Sequence, residues 1–414
     1  MRNFLRNLLS CLILVSLSLA ACTAQPEKSS TPTRAMPTST VQPAASATAP
    51  APTDTLTPTA LPAPETFKYK QACITVDKQL PPGFSSHGGL ILYDASMKHP
   101  VLLDLSSKKE SILIESQHAV SVSPDGKWMA YIKDGNELNL ALKNFSTKTT
   151  LNVSLGTNQD QGLRNWANNE QIIINVDIDQ SPSSTILLNP FTKSSINIPS
   201  SFPDQMLENG SGTRLAPAAI DPSTNYAVYP AMQGDTFGLE LFNRSTNQQI
   251  AFFPSSLASV SVAAPQWNQD GTKFIFNSSP LVDKDESKEG TDELHLGGID
   301  GSVQQLTRLS DQVTDYDLGN LAWSPNDRYV AFVVYDMSVN KLMFLDMVNK
   351  EILDVCIDAG QGYFQDFVWS PDGTQLVINS SDSVQKILID LPSLQAGVLS
   401  PKAEGYVRGW VLLP

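Results

Sequence analysis

Side chains that could do chemistry are few and widely spaced in this sequence. The four histidines, His87, His99, His118 and His295, form no His-Glu-x-x-His pair or other zinc-ligand spacing. There is no Gly-x-Ser-x-Gly nucleophile turn, phosphate-binding loop or dinucleotide-binding glycine motif. We therefore expect no metal site, no cofactor and no catalytic residues, which favours a binding module over an enzyme.

The densest group of candidate ligands is acidic. Asp283 and Asp285 have the spacing that opens a calcium-binding loop, within the stretch "DKDESKEGTDE". The glycine that such a loop needs at its sixth position is at the eighth, as Gly290. A solvated loop is therefore expected in place of a calcium site.

The charge of the chain limits its partners. The formal net charge is −14, and it becomes more negative if a leader containing Arg2 and Arg6 is removed. Nucleic acids and anionic lipid headgroups need a basic surface, so neither is an expected partner.

The N-terminal region has the features of an exported lipoprotein. Residues 1–21 contain two arginines and the apolar run Leu8–Leu19, and they end at Leu19-Ala20-Ala21-Cys22. This ending resembles the bacterial lipobox, which implies a lipid on Cys22 and a location on the extracytoplasmic side of the cell envelope. An ordinary signal peptide is the alternative.

Residues 22–66 differ in composition from the rest of the chain. They are rich in Thr, Pro, Ala and Ser and poor in aromatic and branched aliphatic residues, which predicts an extended, unpacked tether. Cys73 and Cys356 are the two cysteines left beyond this region. In an exported protein they are compatible with one disulfide, and two buried free thiols are the alternative.

From residue 67 onward, short runs of Val, Ile, Phe and Tyr alternate with turn residues, as in all-β proteins. One strand–turn–strand pattern, "FVWSPDGTQLVI", recurs six times. Aligned on the third position of Trp-Ser-Pro-Asp-Gly, the copies fall at Pro124, Asn168, Pro222, Gln269, Pro325 and Pro371. A second strand–turn–strand pattern between the copies completes a repeat of four strands, the size of a β-propeller blade.

The Ser-Pro-Asp-Gly turns, together with Ile299-Asp300-Gly301-Ser302 and Leu306-Thr307, resemble the TolB-like, WD-repeat-like propeller family. The resemblance covers about residues 88–414 and implies a propeller of four-stranded blades. The leftover strand at 405–413 and the leftover strands at 88–116 would together form a seventh blade. We therefore predict a seven-bladed propeller over 67–414, with six or eight blades as alternatives.

The repeated turn is interpreted as structural. Ser370, Pro371, Asp372 and Gly373 match the preferences of a type I turn followed by a residue with positive φ. A catalytic motif would occur once, whereas this one recurs with substitutions. The tryptophans at one register of the first strand are expected to wedge between blades, and stacking on a sugar is the alternative; they are Trp166, Trp267, Trp323, Trp369 and Trp410.

Topology predicts where a ligand would bind. The Pro-Asp-Gly turns lie on one face of the disc, and the long, variable loops lie on the other, where binding residues are more often found. The predicted recognition face consists of Asp283, Asp285, Asp311, Asp315, Tyr316, Asp317, Tyr363 and Phe364. Arg164 and Arg408, each two residues before a tryptophan, are candidate channel residues for an anion.

These observations predict a lipid-anchored, extracytoplasmic propeller that acts as a non-catalytic scaffold, with a protein or glycan ligand on the long-loop face. Two alternatives stay open at this point. One is a carbohydrate-active hydrolase or lyase of propeller type, which would need carboxylates converging on the channel. The other is an accessory or sensor subunit of an envelope complex.

Overall fold

The structure is a computed structural model, and the described part of the chain begins at residue 67. It comprises residues 67–81, 84, 86–93, 99–114, 120–133, 139–154, 160–177, 184–198, 219–233, 236–254, 264–278, 292–313, 316–336, 339–359, 362–380, 385–401 and 405–414. All of them belong to one of the chain's two compact units, residues 61–414. Cys22 and the predicted boundaries at 21 and 66 lie outside the described residues.

Seven antiparallel sheets account for nearly all of the regular structure, and a single turn of 3-10 helix, Leu309–Asp311, is the one helical element among the described residues. Two short strands, β1 (Lys68–Gln71) and β2 (Val76–Asp77), precede the first sheet. The first two sheets in the ring, which we call blades I and II, contain β3 (Gly89–Tyr93), β4 (Val101–Asp104), β5 (Glu110–Ile112), β6 (Val120–Val122), β7 (Trp128–Lys133), β8 (Asn139–Asn144) and β9 (Thr150–Ser154).

Blades III to V follow in the same order along the chain. Their strands are β10 (Asp160–Trp166), β11 (Ile172–Asp177), β12 (Ser184–Asn189), β13 (Ser194–Ile198), β14 (Ala219–Ile220), β15 (Tyr226–Gln233), β16 (Thr236–Asn243), β17 (Gln248–Pro254), β18 (Gln266–Trp267), β19 (Lys273–Ser278), β20 (Glu293–Gly298) and β21 (Val303–Gln305). Blades VI and VII contain β22 (Tyr316–Trp323), β23 (Tyr329–Asp336), β24 (Asn340–Asp346), β25 (Glu351–Asp358), β26 (Phe364–Trp369), β27 (Gln375–Ser380), β28 (Lys386–Asp390) and β29 (Gln395–Leu399). The last strand of the chain, β30 (Tyr406–Val411), belongs to blade I.

Blade I closes the ring. The last strand, β30, pairs with β3 in the order β30-β3-β4-β5, with Trp410 opposite Leu90 and Val411 opposite Gly89. Strands from the two ends of the propeller therefore share one sheet. Both the predicted all-β propeller and its predicted count of seven blades are confirmed, as is the joining of the two ends in one blade.

Side chains of one strand alternate between two neighbouring blades. In β23, Val330, Phe332 and Val334 pack in a cluster with blade V, and Ala331 and Val333 pack in a cluster with blade VII. Strand side chains alternate with a period of two, so a strand enclosed by a sheet on each side must be apolar on both faces. This is why the second strands read as uninterrupted apolar runs.

The repeated turns have the geometry that their residues predict. In blade VII, Gly373 N donates to Ser370 O at 2.8 Å, Ser370 Oγ donates to Asp372 Oδ1 at 2.6 Å, and Gln375 N donates to Ser370 Oγ at 2.9 Å. The fourth residue of the turn has positive φ, +71° at Gly373. The first-position side chain thus holds both the turn and the start of the next strand.

The turns also join neighbouring blades on one face of the ring. Asp125 N donates to Asn169 Oδ1 at 2.9 Å, and Gln269 N donates to Asp327 Oδ1 at 2.7 Å. Between blades VI and VII, Asn326 Nδ2 donates to the carbonyl of the third turn residue, Asp372, at 2.9 Å. The third and fourth turn positions therefore serve the ring as well as the hairpin.

An N-terminal strap crosses the outer edges of blades VI and VII, and the sequence did not predict it. Strand β1 pairs in parallel with β25, and β2 pairs in parallel with β29. Between them Cys73 forms a disulfide with Cys356, which lies in a β-bulge of β25. Phe67, at the start of the strap, is buried in the apolar cluster between blades V and VI. The strap thereby pairs two outer edges that would otherwise be open.

Removing strain at a turn should stabilise the propeller. Thr224 occupies the fourth turn position of blade IV with φ of +63°, a region that is unfavourable for a β-branched residue. We predict that Thr224→Gly raises the free energy of unfolding by about 0.5–1 kcal/mol, measured by urea denaturation.

The matched variant Gly373→Ala should have the opposite effect, a loss of about 1–3 kcal/mol. There the φ is +71°, and a Cβ atom would come within 2.8 Å of the backbone nitrogen of Asn326. A destabilised Thr224→Gly protein would contradict this account of the turn.

Loss of the disulfide should loosen the strap. The bridge links residues 283 positions apart, so it restricts a long loop in the unfolded chain. We predict that a Cys73→Ala/Cys356→Ala double variant unfolds at lower urea concentration, with a loss of about 2–5 kcal/mol. Treatment of the double variant with a reductant should then cause no further change, whereas the same treatment should weaken the parent protein.

Candidate functional site

Two residues of the predicted recognition face are not on the surface of the protein. Tyr316 and Phe364 are buried, with 1% and 0% exposure, because both begin inner strands that the neighbouring blades cover. Their inclusion in an exposed face was wrong. Asp311, Asp317 and Tyr363 are exposed, whereas Asp283, Asp285 and Asp315 lie outside the described residues.

Arg164 and Arg408 occupy equivalent backbone positions. Each is the extra residue of a β-bulge in an inner strand, in β10 between Leu163 and Asn165 and in β30 between Val407 and Gly409. The guanidinium of Arg408 lies 5.4 Å from the centre of the Tyr406 ring, and its Nε donates to the carbonyl of Tyr93 at 3.4 Å. The side chain of Arg164 is outside the described part, so an anion site formed by both remains a prediction.

The end of the acidic stretch is buried, contrary to the expectation of a solvated loop. Glu293 starts β20 with no exposed surface, and it accepts hydrogen bonds from the Thr307 hydroxyl at 2.6 Å and the Tyr316 hydroxyl at 3.1 Å. The backbone N–H groups of Leu309 and Ser310 donate to the same carboxylate at 2.9 and 3.1 Å. Four donors from blades V and VI thus stabilise this carboxylate, which acts as a structural link.

His295, two residues further on, is also buried. Its Nδ1 donates to the carbonyl of Glu293 at 3.0 Å, and its ring stacks on Phe276 with centroids 5.5 Å apart. Its Nε2 is buried and has no hydrogen-bond partner among the described residues. Burial lowers the pKa of His295 from 6.5 to about 4, so the ring is neutral at pH 7.

A cavity of about 250 Å³ opens at the ends of the inner strands, beside the repeated turns, and we call it the turn-side cavity. Its lining comes from blades II to VI. It is formed by Pro124, Asn165, Trp166, Ala167, Ile173, Ala219, Ile220, Pro222, Pro265, Gln266, Trp267, Asn268, Gln269, Trp323, Ser324 and Pro325. Every one of these side chains is uncharged, so the lining contains indole, carboxamide and apolar groups and no titratable group.

The indole N–H groups of the wedge tryptophans divide into two classes. Trp166 donates to Ser121 O at 3.3 Å, and Trp369 donates to Ala322 O at 3.2 Å; each acceptor lies on the inner strand of the preceding blade. The Nε1 atoms of Trp267 and Trp323 are buried and have no partner in the described structure. Both of these tryptophans line the turn-side cavity.

The inner strands β14 and β18 both contribute to the cavity, through Ala219, Ile220, Gln266 and Trp267. At the tryptophan register, β14 carries the smaller Ile220. The blade II copy also lacks a tryptophan, with Val122 at this register, so the sequence alone gave no signal that could have located the cavity.

Comparisons with known proteins agree with the architecture. A model of the family "Eukaryotic translation initiation factor eIF2A" matches residues 255–385. No curated protein matches the chain in sequence. The expected resemblance to TolB-like and WD-repeat-like propellers is confirmed at the level of the fold by the ring of seven sheets.

Three solved structures with a similar fold are distant from the chain in sequence. TolB from Acinetobacter baumannii is 13% identical with a TM-score of 0.37, covering 66% of this chain and 64% of its own, so the chain spans less than two thirds of that protein. The periplasmic gluconolactonase PpgL of Pseudomonas aeruginosa is 14% identical, with a TM-score of 0.47 and coverage of 80% and 98%. The propeller domain of the Trilobed protease from Pyrococcus furiosus is 13% identical, with a TM-score of 0.49 and coverage of 81% and 99%.

The described residues contain neither a membrane-spanning helix nor a cluster of metal ligands. No helix among them is long and apolar enough to cross a membrane. Within the same residues, no three His, Cys, Asp or Glu side chains are grouped so that they could hold a metal ion.

The buried imidazole of His295 should make stability depend on pH. Its pKa is about 4 in the folded protein and near 6.5 when exposed, so the unfolded chain binds more protons between these values. Burial of the neutral His295 ring therefore costs the folded protein no stability above about pH 6.5. As the pH falls towards 4, the free energy of unfolding decreases by up to about 3 kcal/mol, because the unfolded chain binds the proton.

We predict that His295→Phe, which keeps an aromatic ring against Phe276, loses less stability than the parent over this range. Urea denaturation at pH 7.5, 6, 5 and 4.5 gives the free energy of unfolding of both proteins. The other titrating groups are the same in both, so their effects cancel when the two values are subtracted at each pH. Parallel pH profiles would show that His295 does not titrate as its burial requires.

Proposed function

We propose that this protein is a lipid-anchored, extracytoplasmic binding scaffold that holds its ligand at the turn-side cavity. The observation that supports this most directly is the uncharged lining of the cavity. General acid–base catalysis needs a titratable group within hydrogen-bond reach of the reacting atom. A lining of indole, carboxamide and proline groups can bind and orient a ligand but offers no such group.

The anchoring part of the proposal rests on the sequence. A lipid on Cys22 would be followed by the Thr- and Pro-rich residues 23–66, and these lead to the strap at residue 67. An extracytoplasmic location is also compatible with the Cys73–Cys356 disulfide, because such bonds persist in oxidising compartments. In this arrangement the lipid holds the propeller at a membrane while the ring remains free to bind.

The turn-side cavity is a better candidate than the predicted recognition face for the main contact with the ligand. Asp311, Asp317 and Tyr363 remain exposed, but their predicted neighbours Tyr316 and Phe364 are in the core. The cavity, by contrast, is concave and collects side chains from five blades, which is typical of ligand sites. The three exposed residues provide the control surface for the capture experiment described below.

Membrane fractionation tests the anchor. We predict that the full chain sediments with membranes and that Cys22→Ser moves it to the soluble fraction. A Cys11→Ser variant is the matched control and should fractionate like the parent, because Cys11 lies within the predicted leader. Retention of the Cys22→Ser protein in membranes would contradict lipid anchoring.

Capture from solubilised envelopes tests the site. An Asn165→Ala/Gln269→Ala variant removes two exposed carboxamides of the cavity, and we expect it to lose at least about 80% of the envelope protein or glycan captured by the parent, as two neutral hydrogen bonds of about 0.5–1.5 kcal/mol each imply. Asp311→Asn/Asp317→Asn is the matched pair among the exposed residues of the predicted recognition face and should capture normally. The reverse pattern would place the binding surface on that predicted face and overturn the proposal.

A further inference from the structure

We propose that the turn-side cavity binds a neutral saccharide and that the indole N–H groups of Trp267 and Trp323 donate hydrogen bonds to it. This inference rests on the proposed function and specifies the ligand of that site. It combines three observations, namely two unpaired donors, the cavity that both tryptophans line, and the uncharged character of that lining.

The two unpaired donors call for an explanation. A buried N–H group without a partner costs about 1–3 kcal/mol, and nearly all such groups in native proteins are satisfied. The same tryptophan position is satisfied in blades III and VII, where Trp166 and Trp369 donate to the preceding inner strand. The fold can therefore satisfy this donor with a carbonyl of the preceding inner strand, but the indole N–H groups of Trp267 and Trp323 make no such hydrogen bond.

The two tryptophans whose indole N–H groups are unpaired both line the turn-side cavity. The acceptors equivalent to Ser121 and Ala322 are Ala219 for Trp267 and Gln266 for Trp323, two residues before the first turn position in each preceding blade. Ala219 and Gln266 both line the cavity, as do both tryptophans. The two indoles and the residues whose carbonyls would accept from them therefore lie around the same cavity.

The lining favours hydroxyl groups over charged groups. No lysine, arginine, histidine or carboxylate lines the cavity, so a charged ligand would lose its hydration without an opposite charge to replace it. The carboxamides of Asn165 and Gln269 can both donate and accept, which matches a hydroxyl group that also does both. An indole adds a large apolar face beside its N–H, suited to the C–H faces of a sugar ring.

Not every polar group in the lining is available. The Asn268 side chain accepts from Lys273 N at 2.9 Å and donates to Asp270 at 2.7 Å, and Ser324 Oγ donates to Asn326 at 2.7 Å. These two residues hold turns, as their equivalents do elsewhere in the ring. Gln266 Nε2 donates to the carbonyl of Ala264 at 3.3 Å, which leaves its carbonyl oxygen for a ligand. The other groups left are the indoles of Trp267 and Trp323 and the carboxamides of Asn165 and Gln269.

Isothermal titration of the purified full chain tests the inference, in a detergent without a sugar headgroup so that the micelle cannot compete. The neutral probes are cellohexaose, maltohexaose and chitohexaose. Hexagalacturonate and hexaglucosamine are charged probes of equal length, and a decaproline peptide tests the other partner that an aromatic- and proline-lined cavity could accept. We expect at least one neutral hexasaccharide to bind and the other probes not to bind.

Variants locate the contact. Trp323→Phe and Trp267→Phe remove the N–H and keep an aromatic ring, and each should weaken saccharide binding about three- to tenfold. Asn165→Ala/Gln269→Ala changes exposed side chains, so it should fold normally and weaken binding at least about fivefold. Trp369→Phe is the matched control, because its indole N–H is satisfied within the protein and it does not line the cavity. Its saccharide affinity should equal that of the parent.

The outcomes separate this inference from the proposed function. If decaproline or a charged hexasaccharide binds and the neutral sugars do not, the ligand class is wrong although the cavity is a binding site. If no probe binds while envelope capture still depends on Asn165 and Gln269, the saccharide is overturned and the scaffold proposal stands. Saccharide binding that is insensitive to the tryptophan and carboxamide variants would overturn the site.

Discussion

Face-to-face packing of neighbouring sheets is the interaction on which the rest of this structure depends. Each blade has two apolar faces and can bury them only between two other blades, so an open row would leave a hydrophobic sheet at each end. Pairing of β30 with β3 removes both ends at once, because the first and last parts of the propeller complete the same sheet. The apolar clusters accordingly join blades and are not confined to single sheets, as Val330 and Ala331 illustrate by packing in opposite directions.

This packing also explains where polar groups are placed. A buried carboxylate such as Glu293 is tolerated because four donors from its own and the next blade meet it. The wedge tryptophans follow the same rule at Trp166 and Trp369, whose N–H groups reach the preceding inner strand. Trp267 and Trp323 depart from it, and both of these tryptophans line the turn-side cavity.

The features that the sequence could predict are those set by local chemistry. Ser370, Asp372 and Gly373 determine their turn through bonds within six residues, so the turns, the blade count and the closure could be read from the repeat. The pairing of β1 with β25 joins residues more than 280 positions apart and leaves no local pattern, so the strap was missed. Tyr316 and Phe364 were misplaced because a strand that begins inside a variable region reads as part of the loop. The burial of His295 could not be predicted either, since an isolated histidine gives no sign of the neighbours that bury it.

The strap and the cavity are related by topology. Lys68 N donates to Lys350 O at 2.9 Å, in the turn between β24 and β25, and the adjacent Met347 N donates to Arg328 O at 2.8 Å beside the repeated turn of blade VI. Strand β1 therefore starts on the face of the ring that carries the turns, the same face on which the cavity opens. A ligand that enters the cavity approaches the propeller from the side on which the polypeptide joins it. The turns that count the blades thus link neighbouring blades, and those of blades II to VI also form the rim of the cavity.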